Sequence, residues 1–511
     1  MMTVTQPNPT EAGLSTRGGP RWLEAARRVV ESGREGRIVA AVLAAFVIVW
    51  LAFHTVSLWP VDLRNDAAEA ALWAQHFAFG YKHPPMTAWL FMAWFAVFPR
   101  ADWAMHLNAV LLSAITLLLA WRTARDQLDK NKALLGLAAL ILIPLYTFKT
   151  AELNASTAML PFWAAALLFY LRARRGHGTV DSLLAGACAS ASMLGKYWTV
   201  YLLAGMAVAA FGGPGTRRFW GSRAPYLMAA AAIVVIAPHL YWYATHAGGA
   251  DYAFLRQSVM TTDSLGTALE RSIRYLLGTI AYAAGPLVLL ALLRPSKAAL
   301  ADTLWPAEEE RRQALILFAV PLVLPALVNL VSPYRLTADW SLPNWTLLPI
   351  VLYGSRKLAV DAYAAAVAGL LALAVSLGFL AASPIIAAAH LRAGLDSNRP
   401  TSQELARAVR TLTGKPVALY WGSPDVTGNL PFYVPGADPL VGDPTAAGNR
   451  ADVIRRGLLI ACLDADAACR KTQSAVAAQP GVKAAGLTVT RTFLGLSGPP
   501  VAMHITALPG R

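Results

Sequence analysis

The sequence predicts a multi-spanning α-helical membrane protein of about eleven transmembrane helices, carrying a small C-terminal α/β domain outside the membrane. Three observations predict it. Of 511 residues, 56% are hydrophobic and 14% charged, with a mean hydropathy of +0.46, which excludes a single soluble core. Uncharged runs recur at lengths suited to the ~30 Å hydrocarbon layer of a bilayer. From residue 383 onward the pattern changes to short strands and amphipathic helices.

Residues 1–37 are polar, basic and rich in Pro and Gly, with no cleavable signal pattern, and read as a disordered cytoplasmic tail. Residues 38–382 form the membrane domain. Its candidate spans are 38–58, 102–121, 133–148, 155–171, 180–195, 198–212, 225–244, 276–293, 314–331, 343–355 and 360–382. The apolar stretch 86–98, bracketed by Pro84, Pro85 and Pro99, is too short to cross and reads as an interfacial or re-entrant helix.

Basic residues in short loops stay on the cytoplasmic side. One assignment makes the loops agree: 22 of the 44 Lys and Arg fall inside, nine fall in outer loops, and 13 fall in residues 383–511. The N-terminus is then cytoplasmic, and both the first loop, residues 60–100, and the C-terminal domain are periplasmic. The net charge of +15 therefore implies membrane topology, with no nucleic-acid partner. The expected location is a bacterial inner membrane.

In the C-terminal domain GKPVALYWG and GLLIACLDA read as buried strands, SQELARAVRTL and ACRKTQSAVAAQ as amphipathic helices, and VTRTFLGLSGPPVAMHITAL as a closing β-rich stretch. Cys188 falls within a span and suits packing. Cys462 and Cys469 are seven positions apart between a strand and a helix, and an oxidising periplasm allows them a disulfide.

The outer face collects chemistry. It holds Asp62, Asp66, Glu69, His76 and His83 in the first loop, then Lys149, Glu152 and Asn154, then Lys196 and Tyr197, and later His239, Arg256, Arg335 and Asp339. A carboxylate near the membrane surface suits a general base for a hydroxyl acceptor, and Lys or Arg suits a phosphate leaving group. That pairing describes glycosyl transfer from a lipid phosphate. Lys196, flanked by MLG and YW, is an ionisable group in apolar surroundings and a candidate phosphate ligand with Tyr197 and Arg335. No nucleotide-binding fingerprint or phosphate loop occurs in the required context.

The stretch NDAAEAALWAQHFAFGYKHPPMTAW resembles the first outer loop of the polyprenyl-phosphate-sugar glycosyltransferases of the GT-C superfamily, in the protein O-mannosyltransferase and aminoarabinose-transferase group (glycosyltransferase family 39). That family's pattern is Asp-Glu, an aromatic-rich helix, Gly-Tyr, and His-Pro-Pro or Lys-Pro. Asp66, Trp73, Gly80, Tyr81, His83, Pro84 and Pro85 match it. ELNASTAMLPFW, LGKYW, APHLYWYATH, RLTADWSLPNWTLLP and NLPFYVPG resemble later segments of the same enzymes, in order. The resemblance implies a GT-C fold and an inverting transferase that uses a polyprenyl-phosphate-linked sugar donor, with Asp66 as the catalytic carboxylate. The family's adjacent Glu is Ala67 here, and Glu69 is a candidate substitute.

Each candidate has a plainer alternative. Asp66 also suits a first-turn residue complementing a helix dipole. Glu152 and Asn154 are candidates for a second acid or acceptor site and equally for capping the next span. Arg335 binds phosphate or anchors a loop, and Tyr81, His83, Pro84 and Pro85 serve the shape of the motif. Trp340 reads as a belt aromatic. The acceptor stays open among lipid A or other lipopolysaccharide sugars, another membrane lipid, a glycan and a protein. The sugar stays open too; a uronic acid, as in the rhizobial galacturonosyltransferases of this class, suits the outer arginines, as does phosphate binding alone. No cofactor is required, and a divalent metal stays open because some GT-C relatives use one. The alternative of another class is a transporter or flippase of a lipid-linked saccharide, whose expected inverted repeat is not apparent.

Overall fold

The computed structural model describes residues 20–213, 215–246, 260–393, 402–413 and 418–510. Every one of the eleven apolar segments is helical. Six helices are long and apolar enough to cross a membrane: Glu35–Ser57, Asp102–Arg125, Ala155–Gly176, Ala224–His246, Glu309–Val331 and Ala362–Arg392. Leu265–Tyr282 and Ala284–Leu292, bent by 50° at their junction, make a seventh if counted as one span. The remaining segments are shorter or broken. Lys130–Ile141 stops before Pro144, Thr179–Gly195 stops at Lys196, and a 3-10 stretch, Ala338–Leu347, contains Pro343 and leads into Leu348–Tyr353. This is a multi-pass membrane protein.

Local chemistry sets the helix starts. Asn154 accepts hydrogen bonds from the N–H groups of Ser156 and Thr157, and the Thr157 hydroxyl reaches back to the Asn154 N–H, a complete capping box for Ala155–Gly176. Asp361 caps the last long helix through Ala364 N–H. Small residues bring spans together, as at Gly186, where a Cβ would meet the Met228 carbonyl oxygen at 2.0 Å. Two apolar clusters fill the bundle, one around Trp50, Tyr146 and Tyr353, the other around Trp163, Tyr170 and Tyr275.

Two boundaries differ from expectation. The described part of the N-terminal segment is helical where a disordered tail is expected: Arg21–Glu31 buries Leu23 and Val30 against the bundle and turns Arg21 and Arg28 outward. Residues 1–19 lie outside the described residues. The last long helix runs on past residue 382 to Arg392, with Pro384 inside it.

The C-terminal domain is built on a five-stranded sheet in the order β2-β1-β3-β7-β4, with β1 (Leu419–Gly422), β2 (Asp438–Pro439), β3 (Leu458–Leu463), β4 (Lys483–Val489) and β7 (Val501–Leu508). β5 (Thr492–Phe493) and β6 (Leu496–Ser497) form a separate small hairpin. β1 runs parallel to β2 and β3, while β7 pairs antiparallel with β3 and β4. LLIACL of β3 is nearly all buried, as a central strand should be. Helices Ser402–Thr413, Ala447–Arg456 and Ala467–Ala477 accompany the sheet.

This domain grips the loop that follows the first span. Phe432 packs with Leu63, Ala67, Ala70 and Phe91. Arg491 is ion-paired to Asp62 at 3.0 Å, Ser402 N–H donates to Asp62 at 2.7 Å, and Asn429 donates to the Leu63 carbonyl at 2.6 Å. Tyr433 and Gln403 both donate to Asp102, at 2.9 and 2.6 Å.

Candidate active site

The loop after the first span is held before it is used. Asp62 anchors its start, and three residues later the chain turns into helix Asn65–Trp73, which puts Asp66 in the first turn, exposed, with its charge favoured by the helix dipole. Ala67, Ala70 and Ala71 are buried beneath it, and small side chains let this short helix lie close against its support. Among the described residues the Asp66 carboxylate has no hydrogen-bonded or ion-paired partner.

The rest of the motif shapes the floor. Trp73 stacks on Tyr81 at 5.8 Å and meets His83 edge-on at 5.5 Å, while the Tyr81 hydroxyl donates to the His76 carbonyl and accepts from Ala78 N–H. Pro84 and Pro85 are buried. Gly80 is required by closeness: a Cβ there would lie 2.1 Å from the Trp242 ring. His83 is driven down to about 4, first by burial and then by Lys82 and Lys196, so it is a neutral imidazole despite the opposing pull of Asp66.

Lys196 arrives from the break after Thr179–Gly195. Its ammonium donates to Ser156 Oγ at 3.0 Å and sits 4.7 Å from the Trp340 ring centre, a cation–π contact. Burial lowers its pKa to about 8, opposed by the charges of Asp66 and Asp339. Asp339 in turn is ion-paired to Lys149 at 3.1 Å and accepts from the Tyr282 hydroxyl. Tyr197 bonds His239 at 2.8 Å, and His239 bonds the Phe79 carbonyl at 2.7 Å, tying the lysine's neighbour to the first loop.

The structure thus brings Asp66, His83 and Lys196 within electrostatic reach of one another, with Glu152 also within reach of Asp66. Other candidates are otherwise engaged. Glu69 is ion-paired to Lys82 at 2.5 Å. Glu152 is buried, with the Arg64 N–H 3.0 and 2.9 Å from its two oxygens, and burial raises its pKa to about 8. Asn154 serves as the helix cap. Arg335 is exposed and acts on Asp263, itself ion-paired to Arg271. Cys462 and Cys469 form a disulfide between β3 and the following helix. Arg256 lies outside the described residues. Among the described residues no group of three or more His, Cys, Asp or Glu side chains is arranged to hold a metal ion.

Sequence reasoning missed the roles of Trp340 and Ser156. Neither has a local signal, since each meets Lys196 only through folding. An exposed carboxylate facing a partly desolvated ammonium on an aromatic plate can deprotonate a hydroxyl on one side and hold a phosphate on the other.

The chain is similar to several known proteins. A family model described as dolichyl-phosphate-mannose-protein mannosyltransferase matches residues 82–242. Two relatives come from Rhizobium johnstonii. The lipopolysaccharide core galacturonosyltransferase RgtB is 30% identical over 250 residues, covering 45% of this chain and 49% of the relative. The lipid A galacturonosyltransferase RgtD is 25% identical over 324 residues, covering 63% and 64%. The chain thus spans about half to just under two thirds of the length of these relatives. The crystal structure of ArnT from Cupriavidus metallidurans bound to undecaprenyl phosphate superposes with a TM-score of 0.59 at 14% identity, over 93% of this chain and 98% of that one. The apo form gives 0.60 at 12% identity, over 92% and 98%.

Proposed function

We propose that this chain, which resembles the polyprenyl-phosphate-sugar glycosyltransferases of the GT-C superfamily in sequence and fold, transfers a sugar from a polyprenyl-phosphate donor to a lipid acceptor on the outer face of a bacterial inner membrane. One observation carries the reading: Asp66 stands exposed in electrostatic contact with Lys196, on the loop that the motif marks. Asp66 takes the proton of an acceptor hydroxyl, whose oxygen attacks the anomeric carbon. The bond from that carbon to the phosphate oxygen breaks on the opposite face, so configuration inverts. Lys196 stabilises the phosphate as it gains negative charge. Arg335, which acts on Asp263 beside Arg271, is a further candidate for that phosphate.

The names of the Rhizobium relatives support a galacturonic acid donor sugar and a lipid A or lipopolysaccharide core acceptor, and the undecaprenyl phosphate of the ArnT crystal supports an undecaprenyl carrier. The test is incubation of the purified protein in lipid nanodiscs with a panel of undecaprenyl-phosphate sugars and extracted envelope lipids, read by mass spectrometry. Release of undecaprenyl phosphate together with a sugar-bearing lipid is the expected result. Donor that is bound and returned unchanged, with no product on any acceptor, would point to a flippase instead.

A further inference from the structure

A cavity of about 390 Å³ opens where the C-terminal domain meets the outer ends of helices Glu35–Ser57 and Asp102–Arg125. Four guanidinium groups line it, from Arg100, Arg407, Arg410 and Arg491, against the single carboxylate of Asp102. Arg491 is matched by Asp62 and Glu404, at 3.0 and 3.1 Å, and Arg407 lies 3.8 Å from Glu404. Arg100 and Arg410 differ. Their recorded acceptors are the backbone carbonyls of Pro431 and Tyr433, at 3.0 and 3.2 Å, and among the described residues neither has a carboxylate in ion-pair range. A guanidinium offers five donors, so each has several left for an anion.

The wall also carries Trp59 and Trp103, which are 57% and 42% exposed and sit at the ends of two spans, where amphipathic aromatics mark the bilayer surface. A water-borne anion has no use for such a rim, whereas a lipid headgroup lies at that depth. The cavity adjoins the catalytic loop: Asp102 in its wall and Asp66 both act on the buried Glu152.

We propose that this cavity seats a negatively charged group, phosphate or carboxylate, on the headgroup of the lipid acceptor, and so sets which acceptors present a hydroxyl to Asp66. The assignment to the acceptor rests on the transferase reading; the binding of an anionic lipid headgroup does not. A site of this kind selects for charge through Arg100 and Arg410 and for membrane residence through its tryptophan rim.

The test uses the full chain in phosphatidylcholine nanodiscs doped with phosphatidic acid as the probe, with protein-bound lipid measured by native mass spectrometry. The wild-type protein is expected to enrich phosphatidic acid, and the double variant Arg100→Gln/Arg410→Gln to lose that enrichment by about tenfold. Arg407→Glu, whose side chain is 72% exposed and so leaves folding intact, is expected to lower it as well. Arg274→Gln, on another outer helix and 78% exposed, is expected to leave it unchanged. Equal enrichment in the wild type and the double variant would overturn the proposal, as would displacement of the bound lipid by millimolar inorganic phosphate. In the transfer assay the double variant should raise the acceptor KM while donor KM and kcat hold. If the wild-type protein transfers nothing, the transferase reading fails while the lipid-binding result still decides the cavity.

Discussion

Asp62 and Asp66 stand four positions apart on one loop and live in opposite environments. Asp62 is 3% exposed, ion-paired to Arg491 and bonded by Ser402 N–H, and burial lifts its pKa to about 7 against the pull of that arginine. Asp66, one helical turn on, faces open space and the charge of Lys196. The first carboxylate fastens the C-terminal domain to the loop, and the second is left available for chemistry. Loop and domain therefore form one device in which a committed acid positions an uncommitted one.

That contrast can be broken at several points. The largest effect is expected for Asp66→Asn: a loss of about a hundredfold to ten-thousandfold in turnover, the range of a general base, measured as undecaprenyl phosphate released per minute. Next is Arg491→Met, which leaves the buried Asp62 with its cation removed and should destabilise the domain's attachment by about 3–5 kcal/mol, read by thermal unfolding and by proteolysis at the junction. Unchanged unfolding in that variant would mean that the apolar seat of Phe432 alone holds the domain.

A smaller effect is expected from pH. A depressed pKa means that Lys196 carries its charge below about 8 and loses it above, so donor affinity should fall several-fold as pH climbs through that value. Lys196→Arg, whose guanidinium does not titrate, should remove the pH dependence even if it binds less well. The smallest effect concerns Glu152. Its folded pKa is raised to about 8, so the stability linked to it is full below the ordinary carboxylate range and lost as pH rises through about 8. Glu152→Gln should therefore flatten the decline of unfolding temperature on the alkaline side, and an identical decline in both proteins would remove Glu152 from the account.

Much of the fold was legible in the sequence because membrane insertion writes long, local signals. The eleven apolar runs all became helices, and among the described residues the strands and helices read in the C-terminal domain followed their periodicities, residues 414–417 of the first strand reading lying outside them. The Asp66 to Pro85 motif was legible as a resemblance. What escaped was non-local or masked by composition. Asp62 meets Ser402 and Arg491 across hundreds of residues, and no pattern near Asp62 announces it. Trp340 reads as a belt aromatic until folding sets it beneath Lys196. The helix Arg21–Glu31 was hidden because its charges outnumber the few apolar residues that bury it. Glu152 and Asn154, candidates for chemistry, also serve architecture, one satisfying a backbone N–H and the other capping a span, contacts the sequence does not announce.

The most direct measurement sets Asp62→Asn beside Asp66→Asn in the same nanodiscs, with unfolding temperature, donor binding and turnover per folded molecule read for each. The account predicts a crossed result. Asp66→Asn keeps its unfolding temperature and its donor while losing turnover, and Asp62→Asn shifts its unfolding temperature yet turns over normally while folded. Normal turnover in Asp66→Asn would contradict the account, whatever the behaviour of Asp62→Asn.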